Sequence, residues 1–335
     1  LVGGAAGDAL GYAVEFMRYR QIQDLYGARG ITHYQLNRQG LAEISDDTQM
    51  TLFTACGMLS AVGGTREQML ESIKRAYLEW YGTQAGRDAS EPAEFFLTTL
   101  PVMNHRRAPG TTCMSALHDI LHGQEVDNFS KGCGGIMRTA PIALTGVTMG
   151  MDIDDVCWLA AESARLTHKH PLGYLPSLIG AYIIYYSVLD AEQPTTADFR
   201  RWIDEAFVVA RRLYGNDCPS GIQAMKTKMD ECLATTDDTT LSDREAVRRI
   251  GEGWVGEEAL CIAVCSVLRH FDDFAAALRM SVNHDGDSDS TGCIAGQMMG
   301  ALIGYSDIPA EFKHRLEGEA LLLDVAGKIN KMHNA

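Results

Sequence analysis

The sequence predicts an all-α protein. Strict alternation of apolar and polar residues, which is typical of a half-buried strand, is almost absent from its 335 residues. Apolar residues instead recur at helical spacing, and glycine and proline separate the segments that show this spacing. No internal repeat of fixed period stands out. We therefore expect a single compact multi-helix domain over residues 1–335.

The first sixteen residues predict a tightly packed helix. They are rich in small residues, and their glycines recur every four positions, at Gly3, Gly7 and Gly11. Residues at this spacing lie on one face of a helix. Asp8 and Glu15 are the only acids there, which makes both of them candidate site residues. The polar stretch 17–44 predicts a loop that covers the cluster following it.

Most of the remaining chain also reads as helices joined by turns. Residues 94–104 predict a helix or turn, 82–92 a connection, and the polar stretch 219–242 a surface excursion. The predicted helices are 49–62, 66–81, 111–121, 139–145, 152–166, 172–189, 197–214, 259–269 and 293–305. The last helix region carries glycine at 292, 296, 300 and 304. Each glycine costs about 1 kcal/mol relative to alanine, and close approach of another helix would offset that cost.

Composition excludes several classes of function. A net charge of −15 argues against nucleic-acid binding, which needs clustered lysine and arginine. The nine cysteines are scattered without a Cys-x-x-Cys pair, so we expect free thiols rather than zinc ligands or disulfides. No signal peptide or transmembrane run is visible. These observations predict a cytoplasmic protein with no membrane partner.

A dense acidic string near the C-terminal end, residues 283–292, predicts a metal site. Its three carboxylates repel one another unless a hard cation such as Mg²⁺, Mn²⁺ or Ca²⁺ binds them; they belong to Asp285, Asp287 and Asp289. An EF-hand loop starting at Asp285 fails because its sixth and twelfth positions hold serine and glycine. An Asp-x-Asp-x-Thr phosphatase motif also matches, but the segment before it is a poor buried strand.

A second acidic cluster, Ser45-Asp46-Asp47-Thr48, favours a third interpretation. Each cluster opens a predicted helix, with Ser45 or Asp46 as a plausible N-cap of the first. The two helix starts could face each other across a binuclear metal site. The plain alternative is that each is an acidic first turn favoured by the helix dipole.

Two further motifs bear on ligand binding. Residues 128–138 include Gly132, Gly134 and Gly135, which let a backbone turn its N–H groups towards an anion. This loop is neither a Walker A motif nor Gly-x-Gly-x-x-Gly, so the phosphate signal is weak. His168 and His170 follow a predicted helix, where imidazoles also complement the helix dipole.

Taken together, these blocks resemble the ADP-ribosylglycohydrolase family. The resemblance rests on six blocks in the family's order: Gly7-Asp-Ala-Leu-Gly-x-x-x-Glu15, Ser45-Asp46-Asp47-Thr48, Gly132 to Arg138, Thr167-His168-x-His170-Pro171, Gly253-Trp254 followed by Glu257, and Gly286-Asp287-Ser288-Asp289-Ser290. Cys133 stands where the family commonly has asparagine. The string from Gly286 to Gly292 is most similar to the ADP-ribosylarginine hydrolase branch.

The resemblance implies an all-α fold around a central binuclear cleft that holds two Mg²⁺ ions, with Mn²⁺ as a possible substitute. The implied metal ligands are Ser45, Asp46, Asp47, Asp287, Asp289 and Ser290. The implied substrate-binding residues are Gly132, Cys133, Gly134, Gly135, Met137 and His168. Asp47 and Glu15 are the candidate catalytic bases, and Glu15 matches a position that reaches the metal site and belongs to a flap.

The implied reaction is metal-dependent hydrolysis of the N-glycosidic bond between ADP-ribose and arginine in a modified protein. Such a protein and ADP-ribose are the expected partners. Two alternatives stay open: hydrolysis of serine-linked ADP-ribose or of an ADP-ribose ester such as O-acetyl-ADP-ribose, and non-catalytic binding of ADP-ribose or of a partner protein.

Overall fold

The computed structural model describes residues 1–86, 93–189 and 193–332. Within these ranges the chain forms fifteen α-helices, four short 3₁₀ helices and no strand beyond two isolated bridges. The α-helices are α1 Val2–Tyr12, α2 Tyr19–Tyr26, α3 Asp46–Ser60, α4 Arg66–Ala85, α5 Thr111–Leu121, α6 Ala140–Met149, α7 Ile153–Arg165, α8 Pro171–Leu189, α9 Thr196–Tyr214, α10 Pro219–Asp237, α11 Asp243–Ile250, α12 Gly256–Arg269, α13 Phe274–Val282, α14 Ser288–Asp307 and α15 Glu319–Lys331. The all-α prediction is confirmed.

Four predicted segments differ from the structure. The expected surface excursion 219–242 is mostly the helix α10, because its buried side chains recur every three or four residues: Ile222, Met225, Met229 and Cys232. The expected loop 17–44 contains α2, and 94–104 forms two 3₁₀ helices rather than an α-helix. Helix α4 continues four residues into the expected connection 82–92, of which 87–92 lie outside the described residues.

Helix α8 lies at the centre of a single connected hydrophobic core. Helices α6, α7, α9, α10, α12 and α14 all pack against it. By length and composition α8 is apolar enough to cross a membrane, but 78% of its apolar stretch is buried within the protein. Its hydrophobicity therefore matches its place in the core.

Helices α1 and α14 pack backbone against backbone. A Cβ added to Gly7 would lie 1.9 Å from the carbonyl oxygen of Gly292, and one added to Gly3 would lie 2.3 Å from that of Gly296. Gly11 meets the carbonyl oxygen of Ser288 in the same way, at 2.1 Å. The predicted close approach is confirmed for these glycines. The contact places the acidic end of α1 beside the start of α14.

Gly304 does not belong to this contact. Its φ of 74° lies in the left-handed region and interrupts α14 near its C-terminal end. A Cβ at this position would meet no atom within 4 Å. The fourth glycine of the series therefore serves a kink in the backbone rather than helix packing.

Candidate metal centre and substrate pocket

The starts of α3 and α14, although far apart in sequence, open into one cavity of about 460 Å³. Eleven of the thirteen predicted site residues line it, including both candidate bases: Glu15, Asp46, Asp47, Gly132, Cys133, Gly134, Met137, His168, Asp287, Asp289 and Ser290. Ser45 and Gly135 lie behind this lining. The two acidic helix starts therefore face a common space.

Asp8 on α1 fixes the start of α3. Its carboxylate is fully buried and accepts hydrogen bonds from the N–H of Ser45, at 3.0 Å, and from the N–H of Thr48, at 3.1 Å. The Thr48 hydroxyl donates to it as well. Ser45 is the N-cap, since its hydroxyl oxygen accepts from the N–H of Asp47. The hydroxyl predicted as a metal ligand therefore has a capping role in this structure.

Asp287 caps α14 in the equivalent way. Its Oδ1 accepts from the N–H of Ser290 at 3.3 Å, while Asp289 occupies the first turn. The third acid of the string is separate, because Asp285 does not line the cavity and instead accepts from the N–H of Tyr19 at 2.9 Å. The structure thus divides the acidic string into two cavity residues and one residue that holds α2.

Glu15 reaches the same cavity from the turn after α1. Ligand atoms of Glu15, Asp287 and Asp289 lie within 4.8 Å of one another, a spacing that suits a shared cation. The Oε2 atom of Glu15 and the Oδ2 atom of Asp47 are buried without a hydrogen-bond partner among the described residues. An orphaned buried carboxylate oxygen is costly unless a ligand satisfies it.

The electrostatics of the cavity favour a bound cation. Burial, followed by the charge of Asp289, raises the pKa of Glu15 to about 10, and burial raises the pKa of Asp287 to about 6. Burial and neighbouring carboxylates also raise the pKa of Asp46, Asp47 and Asp289. Within the described residues, none of these five acids forms an ion pair with a basic side chain. An all-oxygen acidic set of this kind fits a hard divalent cation.

The glycine-rich loop packs against an imidazole. A Cβ added to Gly132 or Gly134 would lie 3.1 Å from an atom of the His168 ring, and one on Gly135 would meet the carbonyl oxygen of Gly173 at 2.6 Å. Close packing therefore explains these three glycines. The N–H of Gly132 already donates to Ser130 Oγ, and that of Cys133 to the carbonyl of Trp254. Any diphosphate at this loop would use later N–H groups.

Cys133 and Met137 connect this loop to the acidic residues. The Cys133 thiol donates to Asp287 Oδ2 at 2.8 Å, and burial raises the pKa of this thiol well above its usual range. The Met137 carbonyl accepts from Thr51 on α3 and from Gln297 on α14. This loop therefore links α3 to α14 through the Met137 carbonyl.

His168 is buried and lines the cavity, whereas His170 is part-exposed and packs edge-on against Phe129. Burial, together with the positive charge of Arg138, lowers the pKa of His168 to about 3. The imidazole is therefore neutral at physiological pH. The predicted pair of histidines divides into one cavity residue and one surface residue.

The structure adds cavity residues that sequence reasoning did not select. Phe16 and Trp254 stack at the mouth, with ring centroids 6.3 Å apart, and Phe16 is 74% exposed while Trp254 is 40% exposed. Arg106 also lines the cavity, together with Thr111 and Thr112 at the start of α5. Two exposed aromatic residues in loops were the available signal for the mouth. The position of Arg106 depends on tertiary contacts alone.

The fold and the cavity define a class of protein: an all-helical protein with a buried carboxylate centre suited to metal-assisted chemistry. Comparison with known sequences identifies the family. The profile of the ADP-ribosylglycohydrolase family matches residues 1–334, and the chain therefore belongs to this family of hydrolases. The resemblance predicted from the six sequence blocks is confirmed.

Individual relatives are similar over most of the chain. The ADP-ribosyl-dinitrogen reductase glycohydrolase of Rhodospirillum rubrum is 27% identical over 94% of this chain and 88% of its own length. ADP-ribosylhydrolase ARH1 of Dictyostelium discoideum is 23% identical over 97% and 91%. Human ADP-ribosylhydrolase ARH3 is 26% identical over 56% and 54%.

A solved structure shares the fold. A chain of an ADP-ribosylglycohydrolase-related protein complex superposes with a TM-score of 0.65, covering 99% of this chain and 95% of its own, at 21% sequence identity. At this identity the likeness shows the fold alone.

Proposed function

We propose that this protein is a divalent-metal-dependent hydrolase that removes ADP-ribose from arginine side chains of modified proteins. The observation that carries the proposal is the convergence of the starts of α3 and α14 on one cavity, beside the glycine-rich loop and His168. The expected cation is Mg²⁺, as two ions, with Mn²⁺ fitting the same oxygen donors. The string from Gly286 to Gly292 resembles the arginine-specific branch of the family and supports the linkage.

The residues fit the proposed cations. Asp46, Asp47, Asp287 and Asp289 supply carboxylate oxygens from the two helix starts, and Ser290 adds a hydroxyl that lies 3.9 Å from the Met137 sulfur. Glu15 lies close enough to share an ion with Asp287 and Asp289. When bound, such cations would orient ribose hydroxyls and lower the pKa of a water molecule.

The proposed reaction consists of one bond cleavage and two proton transfers. The bond from C1″ to the guanidine nitrogen breaks with oxocarbenium character, water adds its hydroxyl to C1″, and its other proton ends on the departing guanidine. Asp47 and Glu15 are the candidate proton carriers, because each presents a buried carboxylate oxygen that has no partner in the described part of the chain. A carboxylate that takes the proton of water and returns it to nitrogen completes the balance.

The charge of the cavity supports arginine as the site of modification. Acidic side chains supply all of its charged lining except Arg106, whose guanidinium donates to the Gln84 carbonyl at the rim. A guanidinium leaving group is cationic once protonated, so an acidic cavity stabilises it better than it would a serine hydroxyl. Arg106 is the basic side chain of the cavity lining that would bind the substrate's diphosphate.

Replacing one acid at each helix start tests the proposal. We expect Asp46→Asn and Asp289→Asn each to reduce kcat/KM for an ADP-ribosylarginine peptide by at least about 100-fold, because each removes a negatively charged donor from the centre. Mass spectrometry of the peptide, with and without a chelator, measures the loss. Unchanged hydrolysis in both variants, or full activity in the chelator, would reject the mechanism.

Asp285→Asn is the matched control. Asp285 belongs to the same acidic string but holds α2 rather than the cavity, and an asparagine oxygen can still accept from Tyr19. We therefore expect this variant to keep wild-type activity. Serine-linked ADP-ribose and O-acetyl-ADP-ribose, assayed in parallel, determine the linkage, and faster release from either one would replace arginine in the proposal. Tight ADP-ribose binding without any turnover would point to a binding protein.

A further inference from the structure

One nitrogen of His168 faces the cavity without a partner. The side chain is 1% exposed, and within the described part of the chain its Nε2 atom has no hydrogen bond to the protein. The glycine-rich loop packs against the same edge, since a Cβ on Gly132 would meet Nε2 at 3.1 Å. An imidazole nitrogen that is open to a cavity and bonded to no protein group, on a side chain that is otherwise buried, can bind a ligand in that cavity.

The opposite nitrogen is held by Thr167. His168 Nδ1 lies 2.9 Å from the Thr167 hydroxyl oxygen, and this oxygen accepts from Arg138 Nη2 at 2.7 Å. The hydroxyl proton has two possible acceptors, His168 Nδ1 and the carbonyl of Ala164 at 3.2 Å. That carbonyl already accepts from the N–H groups of Thr167 and His168, which occupies both of its lone pairs. The proton therefore goes to Nδ1.

Arg138 supports this arrangement electrostatically. Its guanidinium is fully buried, lies 4.3 Å from the centroid of the Tyr77 ring, and forms no ion pair with a carboxylate among the described residues. Its positive charge lies behind the imidazole, and the acidic cavity lies in front of it. A neutral imidazole in this field is more stable with its lone pair towards Arg138 and its N–H towards the cavity.

We propose that Arg138 and Thr167 are positioning residues that fix His168 as the tautomer protonated on Nε2, so that His168 donates a hydrogen bond to an oxygen of bound ADP-ribose. The proposal rests on the proposed function for the identity of the ligand. It also excludes His168 as a general base, because its only free lone pair is taken up by Thr167. The proton carriers then remain carboxylates.

Two variants of Thr167 separate positioning from packing. Thr167→Val keeps the size and shape of the side chain but removes the hydroxyl, whereas Thr167→Ser keeps the hydroxyl. Long-range ¹⁵N–¹H NMR of histidine-labelled protein reports which ring nitrogen carries the proton, and calorimetry with free ADP-ribose in Mg²⁺ reports affinity. We expect wild type and Thr167→Ser to show His168 protonated on Nε2 and to bind with similar affinity.

In Thr167→Val we expect loss of the single Nε2-protonated form and about 10-fold weaker binding, the usual size of one lost hydrogen bond. Wild-type affinity with an unchanged tautomer in Thr167→Val would overturn the proposal. If this variant fails to fold, the His168 tautomer of the wild-type protein tests the proposal, since a proton on Nδ1 would contradict it. If wild type binds no ADP-ribose, the proposed function fails, while the tautomer still tests the positioning contacts.

Discussion

His284 shows how one buried side chain shapes the acidic loop before α14. Its Nδ1 accepts from the N–H of Gly286 at 3.1 Å, and its Nε2 lies 2.9 Å from the carbonyl of Ser281. Nδ1 is therefore the acceptor and Nε2 the donor. Burial lowers the pKa of His284 to about 4. The folded loop therefore requires a neutral imidazole.

This requirement predicts a pH dependence of stability. An unfolded histidine has a pKa near about 6.5, so the unfolded state binds a proton that the folded state rejects, and stability falls as pH drops from about 6.5 towards about 4. The buried acids act in the opposite direction, since their pKa values are raised. A comparison between variants therefore isolates the histidine.

We expect His284→Gln to flatten the acid side of the stability curve. Between about pH 6.5 and 4, the free energy of unfolding of wild type should fall more steeply than that of the variant, by up to about 1.4 kcal/mol per pH unit for one proton. Urea denaturation of both proteins across this range, with chelator present throughout, measures the difference. Parallel curves for the two proteins would contradict the role given to His284.

At the scale of single residues, the sequence predicted the acids of the two helix-start motifs, but it did not predict the contacts that depend on tertiary packing. Asp46, Asp47, Asp287 and Asp289 stand in two short strings at helix starts, and all four line the cavity. The contact of Asp8 with α3 requires α1 and α3 to meet, which no local pattern shows. Arg138 would normally be placed at the surface, since a buried arginine without a carboxylate is rare.

At the scale of elements, the contact of α1 with α14 leaves no room for a side chain. We expect Gly7→Ala to destabilise the protein by about 1–3 kcal/mol or more, because its Cβ would overlap the Gly292 backbone. Gly327→Ala in α15 is the matched control, since a Cβ there meets nothing within 4 Å. The control should be neutral or stabilising by up to about 1 kcal/mol.

Thermal and urea unfolding of the two alanine variants test this contact. A Gly7→Ala protein as stable as wild type would show that the helices can separate without cost.

The sequence predicted close packing from glycine spacing, but it did not identify the partner of either helix. The sequence analysis did not predict α10, because polar residues outnumber the residues of its buried face. The helical spacing of the buried residues was therefore hard to recognise.

At the scale of the whole molecule, the net charge of −15 favours positively charged substrates, as the acidic cavity does. Long-range attraction raises the encounter rate with positively charged substrates and is screened by salt. We expect peptides with lysines beside the modified arginine to be hydrolysed with a higher kcat/KM than peptides with glutamates there. Kinetics in about 0.05 M and about 0.5 M salt should show the difference shrinking.

Equal rates for the two peptides at low salt would show that the surrounding charge does not guide the substrate.

Overall charge, the single helical domain and the free cysteines all followed from composition and periodicity. The order in which fifteen helices pack did not, because it depends on side-chain complementarity between distant segments. That order is what turns two acidic strings into one cavity.

The glycine contact between α1 and α14 also affects biosynthesis. A ribosome delivers α1 well before α14, so α1 has no docking surface while the twelve helices between them are made. Contacts between such distant segments slow folding. The carboxylates gathered around this contact therefore come together only after α14 has been made, and a polypeptide that terminates before Asp287 lacks half of the acidic helix starts that line the cavity.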